Sequence, residues 1–204
     1  MGLVVDLSKP EGDPEREQVV PLTADEIAER RGDPAACVRS FIGAAKNPEA
    51  WGALAERLRR AADVIIREKQ GAPFYEEDFR PSPSFWLGAI HMMLLGQAVE
   101  VAAKALLVAQ DPARVDETRP RTPFVWRRWG HDLPRLIRET GIAFSTEDER
   151  VAGLLRDFVE WGGRYPSPVN LHNAHALEWT TGDVAVAESL YDRLEDARRQ
   201  AREA

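Results

Sequence analysis

The chain has 204 residues, of which 44% are hydrophobic and 30% charged, an ordinary globular balance that excludes disorder of the whole chain. Its net charge of −7 means that any affinity for nucleic acid must come from a local basic patch and not from the overall field. The single cysteine, Cys37, excludes an internal disulfide and any multi-cysteine zinc site, which fits a reducing cytoplasm.

The first residues, MGLVVDLSKPEGDPEREQ, carry too short an apolar run and too many early charges for a secretory signal. Residues 1–22 read as an extended arm. Thr23 with Glu26 then makes a capping-box signal for a short helix that Gly32, Asp33 and Pro34 end. This arm and the short helices up to residue 46 are expected to stand apart from a helical bundle over 47–204.

Asn47 before Pro48 predicts an N-cap with proline at the first helical position. Trp51, Leu54, Ala55, Leu58, Ala61, Ala62 and Ile65 then repeat at three and four, so they are expected to form the inward stripe of a helix ending near Gly71. The following stretch to residue 84, flanked by prolines and rich in aromatics, reads as a structured loop.

Residues 84–110, SFWLGAIHMMLLGQAVEVAAKALLVAQ, are apolar on nearly every side. This is the pattern of a helix wrapped by others, with Ser84 as its expected cap. His91, Gln97, Glu100 and Lys104 interrupt the run, which argues against a membrane span. Ala89, Gly96 and Ala103 recur every seven residues and would let a neighbour approach closely. Glu100 and Lys104 have the i, i+4 order of an ion pair, read either as a pair fixing register or as a polar wall of a cleft. His91 reads as a core histidine.

Between 111 and 130 comes a proline-rich connection with Arg119, Arg121, Arg127 and Arg128 interleaved with Phe124, Trp126 and Trp129. Cations for phosphates and flat rings for bases are what single-stranded nucleic acid needs. Tryptophan and arginine also make protein interfaces, so both readings stand. A short helix with Leu133, Leu136 and Ile137 inward and Gly141 as its stop follows. Ser145 with Asp148 opens another, with Val151, Leu154, Leu155, Phe158 and Val159 inward and Gly162 and Gly163 at its end. After a second irregular stretch, Asp183 is the expected cap of the last helix. The prediction is an all-α bundle of about five main helices around the central apolar helix 84–110, with a short N-terminal arm and helix.

Three stretches, HMMLLGQAVEVAAKALL, GHDLPRLIRETGI and LLRDFVEWGGRYPSP, together resemble the HEPN superfamily, the helical "higher eukaryotes and prokaryotes nucleotide-binding" domains. The likeness spans roughly 48–204 and rests on Glu100, Lys104, Ala105 and Leu106, on His131, Asp132 and Leu133, and on Arg164, Tyr165 and Pro166. It implies an antiparallel bundle, homodimerisation and a role with RNA or a nucleotide. Many catalytic members cleave RNA without metal through an Arg and a His with four to six residues between them. Here seven residues separate Arg164 from His172, and three separate Arg127 from His131. The Arg-Tyr-Pro form is similar to members found beside a small nucleotidyltransferase partner, as in toxin–antitoxin pairs.

Metal-independent cleavage needs a base, an acid and a cation for the developing phosphorane charge. Arg164, His131 and His172 are the candidates for those roles. Tyr165, Arg127, Arg128, Trp126, Trp129, Glu100 and Lys104 are the candidates for binding. Arg164 bracing a helix end, and His131 with Asp132 capping the next helix, are the plainer alternatives. His172, His175 and Glu178 have a spacing that could hold a metal, but it is common by chance, so neither metal nor cofactor is expected. The expectation is a HEPN-like nucleotide- or RNA-binding module, with an endoribonuclease or a non-catalytic interaction subunit as alternatives.

Overall fold

The computed structural model describes residues 42–68, 83–115, 131–163 and 178–203. The helices named below belong to one compact unit, Ala44–Ala204. Its described residues form five main helices: α1 (Pro48–Glu68), α2 (Pro83–Gln110), α3 (Leu133–Thr140), α4 (Thr146–Asp157) and α5 (Thr181–Glu203). A single 3-10 turn, Pro112–Arg114, follows α2, and a π turn, Phe158–Gly162, prolongs α4. There is no strand among the described residues, and the expected all-α bundle is what the chain forms. The N-terminal arm and first helix (1–41), residues 69–82 of the aromatic loop, residues 116–130 of the arginine-rich connection and residues 164–177 lie outside the described residues.

Helix α2 is the centre. It touches α1, α5, the π turn, α3 and α4, and Met92, Leu95, Ala98, Val99, Ala102, Ala105 and Leu107 are wholly buried along it. By length and hydropathy its stretch Phe85–Gln110 could cross a membrane, yet most of that stretch is covered by the chain's own helices. It begins at Pro83, one residue before the expected cap. Ser84 therefore lies in the first turn, where proline's missing N–H costs nothing.

Close packing explains the seven-residue spacing. A Cβ on Gly96 would stand 2.8 Å from Val159 Cγ2 and 3.1 Å from the Leu155 carbonyl oxygen, so the α4–π segment lies almost on the α2 backbone. His91 is buried as a core histidine, and its Nδ1–H donates to the Ala62 carbonyl at 2.9 Å, tying α2 to α1. Trp179, just before α5, sits edge-on to Phe158 at 5.2 Å and beside Phe85 at 5.9 Å, closing the end of the core.

Asn47 caps α1 by accepting from the Glu49 amide at 2.9 Å, as its position before Pro48 predicts. The inward stripe differs from the expected one. Gly52, Ala55 and Ala62 face inward, Leu58 and Ile65 are half-buried, while Leu54 and Ala61 point outward.

Local signals set the other ends. Gly141 stops α3 at φ 76°, a left-handed value natural to glycine. Ser145 and Asp148 form a full capping box on α4. The cap of α5 is Thr180, not Asp183. Asp183 is the acid of a second box, accepting from the Thr180 amide at 2.6 Å while its own amide reaches Thr180 Oγ1 at 3.3 Å. The two boxes are cross-linked: Arg193 of α5 binds Asp148 at 2.6 Å, and Arg150 of α4 binds Asp183.

Candidate functional site

Glu100 lies on α2 with 5% of its surface exposed, and a lone carboxylate there would be costly. Two donors satisfy it. Lys104, one turn on, binds Oε1, and His131 Nδ1 lies 2.9 Å from Oε2. Burial works to raise the Glu100 pKa, but the His131 hydrogen bond and the Lys104 charge outweigh it, and the carboxyl is held below its ordinary value. An ionised carboxylate only accepts, so the facing proton sits on His131 Nδ1.

Helix α3 delivers the imidazole. Asp132 caps it by accepting from the Arg135 amide at 3.4 Å, and Pro134 occupies its first turn. Leu133, Leu136 and Ile137 are buried, and α3 packs on α2. His131 is thus a bridge to the central helix as well as the residue before a cap. Its side chain remains 43% exposed, whereas those of Glu100 and Lys104 are 6% and 14% exposed. The result is a half-open imidazole steered by a buried carboxylate, the arrangement that fixes a histidine's tautomer and orientation.

A second anchor lies on the same side of α2. Gly163, which follows the π turn, rests directly on Met93, leaving no room for a Cβ. Met93 and Glu100 are seven residues apart, which on a helix is about 20° of rotation and roughly 10 Å of rise. The π turn that precedes Gly163 packs on α2 through buried Phe158 and Val159. Such turns recur at functional sites.

Of the residues expected at the site, His131, Glu100 and Lys104 come together. Arg164, Tyr165, His172, Arg127, Arg128, Trp126 and Trp129 lie outside the described residues. Of the three that could hold a metal, His172 and His175 also lie outside, and Glu178 is exposed. Among the described residues no group of three or more His, Cys, Asp or Glu is placed to hold a metal ion.

No family model, curated protein or solved structure matches this chain.

One feature was missed from sequence. A groove of about 430 Å³ runs between α1 and α5, lined by Arg59, Tyr191, Glu195 and Arg198 among others. Arg198 is 7% exposed, grips Glu195 at 2.9 Å and reaches Glu49. Its guanidinium lies flat on Gly52, where a Cβ would stand 2.8 Å from Cζ. Arg59 meets Asp63 at 3.3 Å and Glu188 at 3.2 Å, and lies 5.5 Å from the centre of the Tyr191 ring. Burial and the nearby Glu195 and Glu56 charges push the Tyr191 phenol up to about 12. These cations and carboxylates neutralise one another, so the groove braces α1 on α5 and shares no residue with the Glu100 cluster. Gly52, a glycine inside a helix at a cost of about 1 kcal/mol, was the available signal.

Proposed function

We propose that this chain is a HEPN-like binding module for RNA or a nucleotide, dimeric and working with a partner protein of the nucleotidyltransferase type that the resemblance implies. The meeting of His131, Glu100 and Lys104 carries the reading, because residues from two separate stretches join at the buried Glu100 carboxylate and leave the imidazole half-open. Trp126, Arg127, Arg128 and Trp129 precede that imidazole almost directly in the sequence. Arg164 and Tyr165 follow Gly163, whose seat on Met93 shares the α2 face of Glu100. A site drawn from these stretches offers cations to phosphates and rings to bases.

The test is binding of labelled single-stranded RNA, transfer RNA and nucleotides to the purified chain over a range of salt. Affinity should fall steeply as salt rises and should drop in Arg127→Ala, Arg128→Ala and His131→Ala. Binding that ignores salt and all three substitutions would refute the reading. Absence of binding, together with a stable complex with a partner, would leave a non-catalytic interaction subunit.

The bond from His131 to Glu100 favours a second reading, metal-independent RNA cleavage, because a carboxylate-steered imidazole is the form of a general base. Arg164 would steady the phosphorane charge, with His172 as the other proton carrier. Chelator-resistant cleavage lost in His131→Ala or Arg164→Ala supports it. RNA left intact in every tube ends it.

A further inference from the structure

We infer that the outward face of α1 is a docking surface for a helix of another protein, one with an apolar seam and a carboxylate set opposite Arg57. This rests on the reading that the chain works with a partner protein. Ala50, Leu54, Arg57, Ala61 and Val64 follow one another at steps of four and three residues, and every one is exposed, Leu54 by 42% and Val64 by 56%. Steps of four and three average 3.5 residues, so they line up as a straight stripe of about 21 Å along the helix. The core takes the opposite side of α1, through Gly52, Ala55 and Ala62. A 3.5-residue apolar repeat on a helix is the pattern that interlocks with a second helix, and this one has none among the described residues.

Charge decides what covers it. Arg59 and Arg60 are tied to carboxylates, but Arg57 makes no ion pair among the described residues. The stripe carries no acid before Glu68, the last residue of the helix. Arg57 is the middle of its five positions. Two copies of α1 in full overlap, parallel or antiparallel, would therefore set Arg57 against its own copy, and like charges in contact repel. A carboxylate opposite Arg57 removes the conflict, and a lone charge inside a seam fixes register and partner.

The test uses the full chain and two fluorescent designed helical peptides, alike in their apolar seam but with glutamate or lysine opposite Arg57. Anisotropy should show the glutamate peptide bound and the lysine peptide about tenfold weaker. Arg57→Glu should reverse that preference. Leu54→Asp should abolish both, with circular dichroism and RNA binding unchanged, so a failure here is separable from a failure of the RNA reading. Equal affinity for the two peptides, or no binding of either, would overturn the inference. So would a Leu54→Cys variant that cross-links to its own copy, which makes the occupant a second copy of the chain. Anionic vesicles bound through Leu54 would make it a lipid surface, and also overturn it.

Discussion

Gly96 and Gly153 both lie inside helices, and changing each to alanine should move stability in opposite directions. Helix propensity alone favours alanine by about 1 kcal/mol at either position. At Gly153 a Cβ meets nothing within 4 Å, so Gly153→Ala should gain roughly that amount. At Gly96 the new Cβ stands 2.8 Å from Val159 Cγ2, 3.1 Å from the Leu155 oxygen and 3.3 Å from Leu155 Cβ. The valine is stiff about its first torsion. The Leu155 carbonyl is backbone and already accepts from the Phe158 amide. Relief therefore requires α4 to slide along α2, and overpacking of this kind costs about 1–3 kcal/mol. The propensity gain offsets only part of it, leaving Gly96→Ala about 1 kcal/mol less stable than wild type. With a urea dependence of about 2 kcal/mol per molar, the two midpoints should lie about 1 M apart, one on each side of wild type. A Gly96→Ala midpoint at or above wild type would show that α2 and the α4–π segment are not in close contact.

Three further outcomes follow from the ionised groups. Glu100→Gln keeps the shape but not the charge and should cost about 2 kcal/mol at neutral pH. Because the folded pKa lies below 4.5, that cost is full above 4.5 and fades as pH falls through the lowered value, where the two urea midpoints should converge. A gap that persists in acid contradicts the assignment. Asp148→Ala removes half of a capping box and the partner of Arg193, and should cost about 2 kcal/mol. A double-mutant cycle with Arg193→Ala should show coupling between them, and strict additivity would rule the pair out. Tyr191→Phe should delete the tyrosinate absorbance step near pH 12. The stability tied to this raised pKa is present below 10 and lost as pH rises through 12; a step that survives the substitution belongs to another residue.

What was legible in the sequence was local. Ser145 with Asp148, Asn47 before Pro48 and Gly141 each act within three residues, so their spelling is nearly their structure. The all-round apolar character of α2 likewise has one physical outcome, burial. Helix α1 misled because apolar residues flank its true inward face, and a helical wheel does not say which flank meets α2. The cap of α5 lies three residues before the expected Asp183, which is instead the acid of the Thr180 box. The π turn depends on Phe158 and Val159 seating against α2, a contact no short window contains. Glu100, Lys104 and His131 are expected at one site from sequence, but the direct bond from His131 to Glu100 is not, because the two are 31 residues apart.

The crossed capping boxes join the starts of α4 and α5. An arginine from each helix holds the acid at the start of the other, so neither first turn can fray without loosening a tie that also restrains its neighbour. Both acids, Asp148 and Asp183, are buried against solvent yet held below their ordinary carboxyl range by those same arginines and by the cap residues. Protonation in strong acid therefore releases the two ends together. Amide protons of both first turns should exchange as a single event, which makes this corner of the bundle one cooperative unit despite the distance in sequence between its halves.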